Sequence, residues 1–249
     1  MKKISFIIFC LIFASLYSKA QIVQIDTIRP TYHYKSTSTD LVLQSDFYYT
    51  VGFKLLSFEQ LPKILNALNS NEFYASKLNG LIVKFNDNQL SYRISGSYLQ
   101  KDISFENQCT DCEQTNGKLT DVQIKIGFEK NITHSILQPY FGMDIGYRNN
   151  NFKGESISMN MPNSDSSYDV TTEKNSIVYG PVLGIRLNAI KHLTLSAESG
   201  IDLLYSYERQ TKAYRDAGRT QTFQKYNKFE FLTRPLAFLS VQYNFGLTN

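Results

Sequence analysis

Cys109 and Cys112, separated by Thr110 and Asp111, are the pair in this sequence with the clearest chemical potential. A CxxC pair is the core of a thiol redox motif or half of a tetrahedral zinc site. Zinc would need two further ligands, and the remaining cysteine, Cys10, lies in an N-terminal apolar run. A redox pair normally opens a helix in a thioredoxin-like context, which the surrounding residues lack. The residues therefore favour a structural disulfide between Cys109 and Cys112. His134 and His192 fall in expected short turns and His33 before the first expected strand, and a hydrolytic triad, which is recognised by mutual geometry, is not expected from such positions. No catalytic, metal or cofactor-binding set is expected. A basic stretch near the C-terminus holds Arg209, Lys212, Arg215, Arg219, Lys225 and Lys228 against Asp216. Guanidinium groups match phosphate oxygens in two-pronged fashion, so this stretch is a candidate for binding phosphates or an acidic polymer.

The N-terminus sets the compartment in which such groups would act. Lys2 and Lys3 precede an apolar run from Ile4 to Leu16, and Ser18-Lys19-Ala20 offers small residues at the positions a signal peptidase reads. Residues 1–20 are read as a signal peptide and 21–46 as a periplasmic lead-in, leaving 47–249 as the main domain. Of 26 basic residues, three lie in the leader, which leaves 23 against 22 acidic ones. That balance argues against a chain built to hold nucleic acid. Export also suits the two remaining cysteines, because disulfides persist in oxidising compartments.

Beyond the leader no stretch is apolar enough for a membrane helix. The dominant pattern is instead alternation in segments of about ten residues, the length of a tilted membrane strand. Leu137, Pro139, Phe141, Met143, Ile145 and Tyr147 alternate with Gln138, Tyr140, Gly142, Asp144, Gly146 and Arg148. Val122, Ile124, Ile126 and Phe128 alternate with Gln123, Lys125, Gly127 and Glu129. A strand gathers each set on one face.

Alternation alone fits a soluble barrel as well as a membrane one, and the polar phase decides between them. It is rich in glycine, including Gly52, Gly127, Gly142, Gly146, Gly180, Gly184 and Gly200. Glycine is disfavoured on an exposed strand face, whereas a narrow lumen needs small residues beside long charged ones. The same phase supplies charges of both signs: Lys54, Lys84, Arg93, Lys125, Arg148, Arg186 and Arg234 with Glu129, Asp144, Glu198, Asp202, Glu208 and Glu230. These residues are read as a lumen charge network, with the apolar phase facing lipid. Tyr98, Phe128, Tyr147, Tyr205, Tyr207, Tyr243 and Phe245 sit near strand ends, as interfacial girdles require.

Connections alternate short and long, as periplasmic turns and outer loops do. Strands are expected over 47–56, 78–86, 89–101, 118–130, 136–148, 174–187, 193–208 and 229–245. Long loops are expected over 57–77, 102–117, 149–172 and 209–228. Leu61, Ile64, Leu65 and Leu68 fall at helical spacing after Pro62, predicting a rim helix in the first loop. The fold class is all-β: an eight-stranded antiparallel transmembrane up-and-down β-barrel with long extracellular loops, after a signal peptide.

The chain resembles the Bacteroidetes-type outer-membrane β-barrel family, close in architecture to small OmpA/OmpX-like barrels. The resemblance rests on the leader ending Ser-Lys-Ala-Gln, on the glycine-spaced strands at 138–147 and 179–185, and on the closing Val241-Gln242-Tyr243-Asn244-Phe245. That last segment is similar to the C-terminal signal read by the barrel-assembly machinery, although four residues follow Phe245 here. The resemblance implies a Gram-negative outer-membrane location and partners in outer-membrane lipid and lipopolysaccharide. A non-enzymatic structural or binding role through the outer loops is expected, ahead of a small porin-like channel and of a lipid A-modifying enzyme. The extracellular ligand is not specified by these residues.

Overall fold

The computed structural model describes residues 47–64, 73–106, 113–133, 135–158, 167–215 and 220–247. The leader, the lead-in, Cys109, Cys112, His33, His134, Leu65, Leu68 and Arg219 lie outside the described residues. Eight strands follow in order: β1 Phe47–Gln60, β2 Phe73–Asp87, β3 Leu90–Glu106, β4 Glu113–Asn131, β5 Leu137–Ser158, β6 Tyr168–Ile190, β7 Leu193–Tyr214 and β8 Gln221–Leu247. Each pairs antiparallel with its neighbours, and β1 pairs with β8 to close the ring. Closure removes the sheet edges that an open sheet would leave unpaired.

Tight connections join β2 to β3, β4 to β5 and β6 to β7 at what is called here the turn end. Asn88 makes the first of these turns with a φ of 51°, and His192 the third with a φ of 70°. Asparagine and histidine are among the residues that enter this left-handed region most readily. The other connections and both ends of β2–β3 and β4–β5 farthest from the turns define the opposite, loop end.

Strand limits at the turn end match the sequence-based expectation closely. At the loop end the strands run well past it. β5 and β6 stay paired out to Ser156 opposite Tyr168, and β7 and β8 out to Ala213 opposite Gln221. The expected loops 149–172 and 209–228 are thus largely sheet. Alternation of polarity fades there because Asn149, Asn151 and Lys153 follow Tyr147 on the outward face. Backbone pairing does not need that alternation, so the strands outlast the pattern that revealed them. The rim helix is also corrected in its described part. Leu61 to Ile64 leave β1 without helical structure, and Leu61 and Ile64 are buried inside the mouth of the barrel.

The two faces are reversed relative to a soluble barrel. Ile94 is 58% exposed, while its neighbour Arg93 is 3% exposed. The same contrast separates Ile126 from Lys125, Ile145 from Asp144 and Leu203 from Asp202. Outward residues form an apolar belt bounded by two rows of aromatics in direct register. One row joins Tyr49, Phe85, Tyr92 and Phe128; the other includes Tyr147, Tyr205 and Phe229, the last two with ring centroids 4.7 Å apart.

Glycines in the inward phase make room for large neighbours. A Cβ at Gly184 would collide with the ring of Tyr140, which lies flat against that stretch of β6. The Tyr140 hydroxyl donates to Glu198 at 3.0 Å from this seat. Gly184→Val is expected to expel the ring and lower stability by about 1–3 kcal/mol, as overpacking does. The check is the denaturant midpoint of heat-modifiable gel mobility in detergent; an unchanged midpoint would show that the ring is not seated there.

Candidate functional site

The lumen near mid-height is filled by charged side chains projected from the inward phase of almost every strand. Arg93 on β3 is the hub. Its Nε and Nη2 donate to Asp144 on β5 at 2.9 and 2.6 Å, and Nη1 and Nη2 donate to Glu198 on β7. Glu129 on β4 gathers three cations: Lys84 and Arg186 at 2.6 Å each and Arg93 at 3.6 Å. The Lys84 and Arg186 contacts are close ion pairs whose atoms are not aligned as hydrogen bonds. Arg186 also lies over the Tyr140 ring, 4.6 Å from its centroid, in a cation–π contact.

A second group shares Asp202 on β7. Lys125 donates to its carboxylate at 2.7 and 2.8 Å, and Arg234 approaches at 3.0 Å. Nearer the loop end, Arg148 grips Asp121 through Nε and Nη2, and Lys174 donates to both oxygens of Glu230 at 2.6 and 2.7 Å. Among the described residues Lys54 has no carboxylate at this range, and it rests over Phe238, 5.4 Å from the ring centroid.

The structure thus gathers Lys84, Arg93, Glu129, Asp144, Arg186 and Glu198 into one connected core and Lys125, Asp202 and Arg234 into a second, with Arg148 and Glu230 in separate pairs above them. Three partners were not singled out from sequence: Asp121, Lys174 and Tyr140's hydrogen bond. Asp121 keeps the phase of Gln123 and Lys125, and Lys174 keeps the phase of Arg186, so carrying the alternation through to the loop ends of the expected strands 118–130 and 174–187 would have found both.

No family model matches this chain, and no curated protein matches it. Among solved structures, it is similar to the solution NMR structure of outer membrane protein W from E. coli. The TM-score is 0.40 at 13% identity, covering 80% of this chain and 98% of that one.

Most of the described basic stretch near the C-terminus is strand rather than loop, and its described cations do not form one cluster. Arg209 and Lys212 lie on β7, and Lys225 and Lys228 on β8. Lys228 turns inward to Glu208 at 3.0 Å, and Lys212 sits over Tyr168, 4.7 Å from its centroid. Arg215, at the loop end, bridges Glu155 and Asp169 at 2.7 and 2.6 Å. Arg209 and Lys225 face each other on the exposed side, with Glu173 opposite Arg209 on its other flank. Period-two geometry explains the dispersal, since neighbours along a strand point to opposite faces. His192 is held in the β6–β7 turn, with Nδ1 2.9 Å from the Asn244 carbonyl and its ring 4.6 Å from Phe47.

Packed this way, the buried lumen cations are compensated by the carboxylates they touch. Removing one member strands its partners, which costs about 3–5 kcal/mol for a buried pair. Glu129→Gln is therefore expected to destabilise the barrel by that order, because Lys84 and Arg186 then face no carboxylate. Adding Lys84→Met should recover part of the loss. A double-mutant cycle on unfolding free energy measures the coupling, and simple additivity would argue against it.

Proposed function

We propose that this chain is an exported outer-membrane β-barrel of the Bacteroidetes type in a Gram-negative cell, non-enzymatic and non-conducting, acting by binding at its loop end. The observation that carries this reading is the Arg93 core, which joins β3, β4, β5 and β7 across the lumen by salt bridges. An eight-stranded barrel has an interior just wide enough for its own side chains. Here those side chains are long, buried and paired, so they close the axis to a hydrated ion.

The membrane assignment is supported by the reversed faces. An exposed belt of isoleucine, leucine, valine and phenylalanine between aromatic rows is what hydrocarbon between two interfaces selects. With the short turns in the periplasm, the loop end faces outward. Arg209 and Lys225, exposed beyond the apolar belt, then lie at the height of lipopolysaccharide phosphates. Like charges directly opposite are unfavourable on a strand pair, and a bound phosphate would relieve them.

Two measurements test the reading. The refolded mature protein in a planar bilayer should show no steady conductance, and discrete open levels would instead establish the channel alternative. Ile126→Arg places a charge within the belt and should weaken insertion and folding into bilayers by about 2–4 kcal/mol if the residue meets the midplane. Equal folding of Ile126→Arg and the parent in lipid would remove the membrane assignment.

A further inference from the structure

The barrel wall is not equally sealed all round. β2 and β3 pair only from Asp87 opposite Leu90 up to Gly80 opposite Ser97. Above that point β2 stays bonded to β1 as far as Phe73 opposite Gln60, and β3 to β4 as far as Glu106 opposite Gln114. Among the described residues, the upper halves of β2 and β3 thus each hold one neighbour and do not pair with each other. Leu78, with a φ of 47°, stands at the point of departure. That region of backbone space is uncommon for a leucine.

Exposure on the inward face of β3 changes at the same place. Ser97, Leu99 and Ile103 are only half-buried, and Lys101 is exposed although it lies opposite the fully buried Leu119. Behind this split lies an apolar seat made by Tyr74, Leu119, Phe152, Tyr168 and Val170, with Leu99 and Ile103 packed against it. The chain's own Leu61 and Ile64 occupy it. The split begins one residue below Tyr98, an exposed aromatic at the level of the outer girdle.

We propose that this split is a lateral portal, through which the alkyl chain of a single-chain anionic amphiphile enters the apolar seat in place of Leu61 and Ile64. The proposal rests on the membrane reading above, since it places the opening at the outer lipid interface. The occupant follows from the chemistry of the opening. The seat is apolar and reached from the side, which suits a chain already aligned in a bilayer. Lys77 on one lip and Lys101 on the other are both exposed, while Asp102 faces outward opposite Lys118. Cations at both lips match a carboxylate or phosphate head held at the interface. Leu61 and Ile64 act as an internal competitor, so the seat's apparent affinity is reduced by the fraction of time they fill it.

The test uses the full mature chain in phosphatidylcholine nanodiscs with a diazirine-bearing palmitic acid, photolysed and mapped by mass spectrometry. The expected result is adducts on seat residues such as Leu99, Ile103 and Leu119, beside those on belt residues such as Ile94 and Ile126. Leu61→Ser with Ile64→Ser should raise seat labelling by about tenfold or more as the competitor is lost. Ile103→Asp should lower it about tenfold by putting a carboxylate in the path, with belt labelling unchanged as the folding control. Competition by palmitate alone points to a free fatty acid as the source. Competition by lysophosphatidylglycerol as well points to membrane phospholipid, and equal competition by hexadecanol would overturn the anionic head. Belt adducts without seat adducts overturn the portal while leaving the membrane reading intact; absence of belt adducts overturns that reading too.

Discussion

Charges enclosed in a narrow lumen have to neutralise one another, and much of this structure follows from that constraint. Taking an unpaired ion out of water is expensive by several kcal/mol, whereas a paired set with good geometry roughly offsets its own desolvation. Arg93 illustrates the consequence. It meets carboxylates from β5 and β7 directly and a third from β4, residues far apart in the chain. Those contacts form in one register only, because slipping a strand by one residue turns every inward side chain outward. The network's main contribution is therefore to specify the closed ring rather than to add net stability to it.

The glycines and aromatics of the inward phase serve the same constraint. A long inward side chain has room only where its cross-strand neighbour is small. Gly127 lies against Asp144, Gly142 against Glu129, and Gly184 against Tyr140. Tyr140 then offers a ring face to Arg186 and a hydroxyl to Glu198, linking an aromatic to both signs of charge. An apolar lumen of the same width would need none of this, and its glycines would be voids.

The two ends of the barrel differ in kind. At the turn end tight connections lock the strands, and His192 packs tilted against Phe47 and stacks on Tyr243 across the closure between first and last strands. Toward the loop end the lumen passes from charges to the apolar cluster around Phe152 and Leu119. The wall loosens there between β2 and β3, while β5 to β8 remain paired far beyond the apolar belt.

Period-two alternation, glycine in the polar phase and the spacing of short connections were enough to read an eight-stranded barrel with charges inside from the residues alone. That succeeds because side-chain direction in a strand is fixed by sequence parity, a strictly local property. Partnership was not legible. Arg148 pairing with Asp121, and Lys54 resting on Phe238, depend on strand tilt and register, which bring residues together across the ring. The outward reach of β5 to β8 was missed because hydrogen-bonded pairing persists where polarity no longer alternates. Likewise the basic stretch from Arg209 to Lys228 reads as one patch in sequence but is divided between two faces by the pleat. Sequence by itself determined the strand set and which face each residue takes. Tertiary structure alone decided which charges meet, which strands part, and that Leu61 and Ile64 fold into the mouth, since each depends on contacts between distant segments.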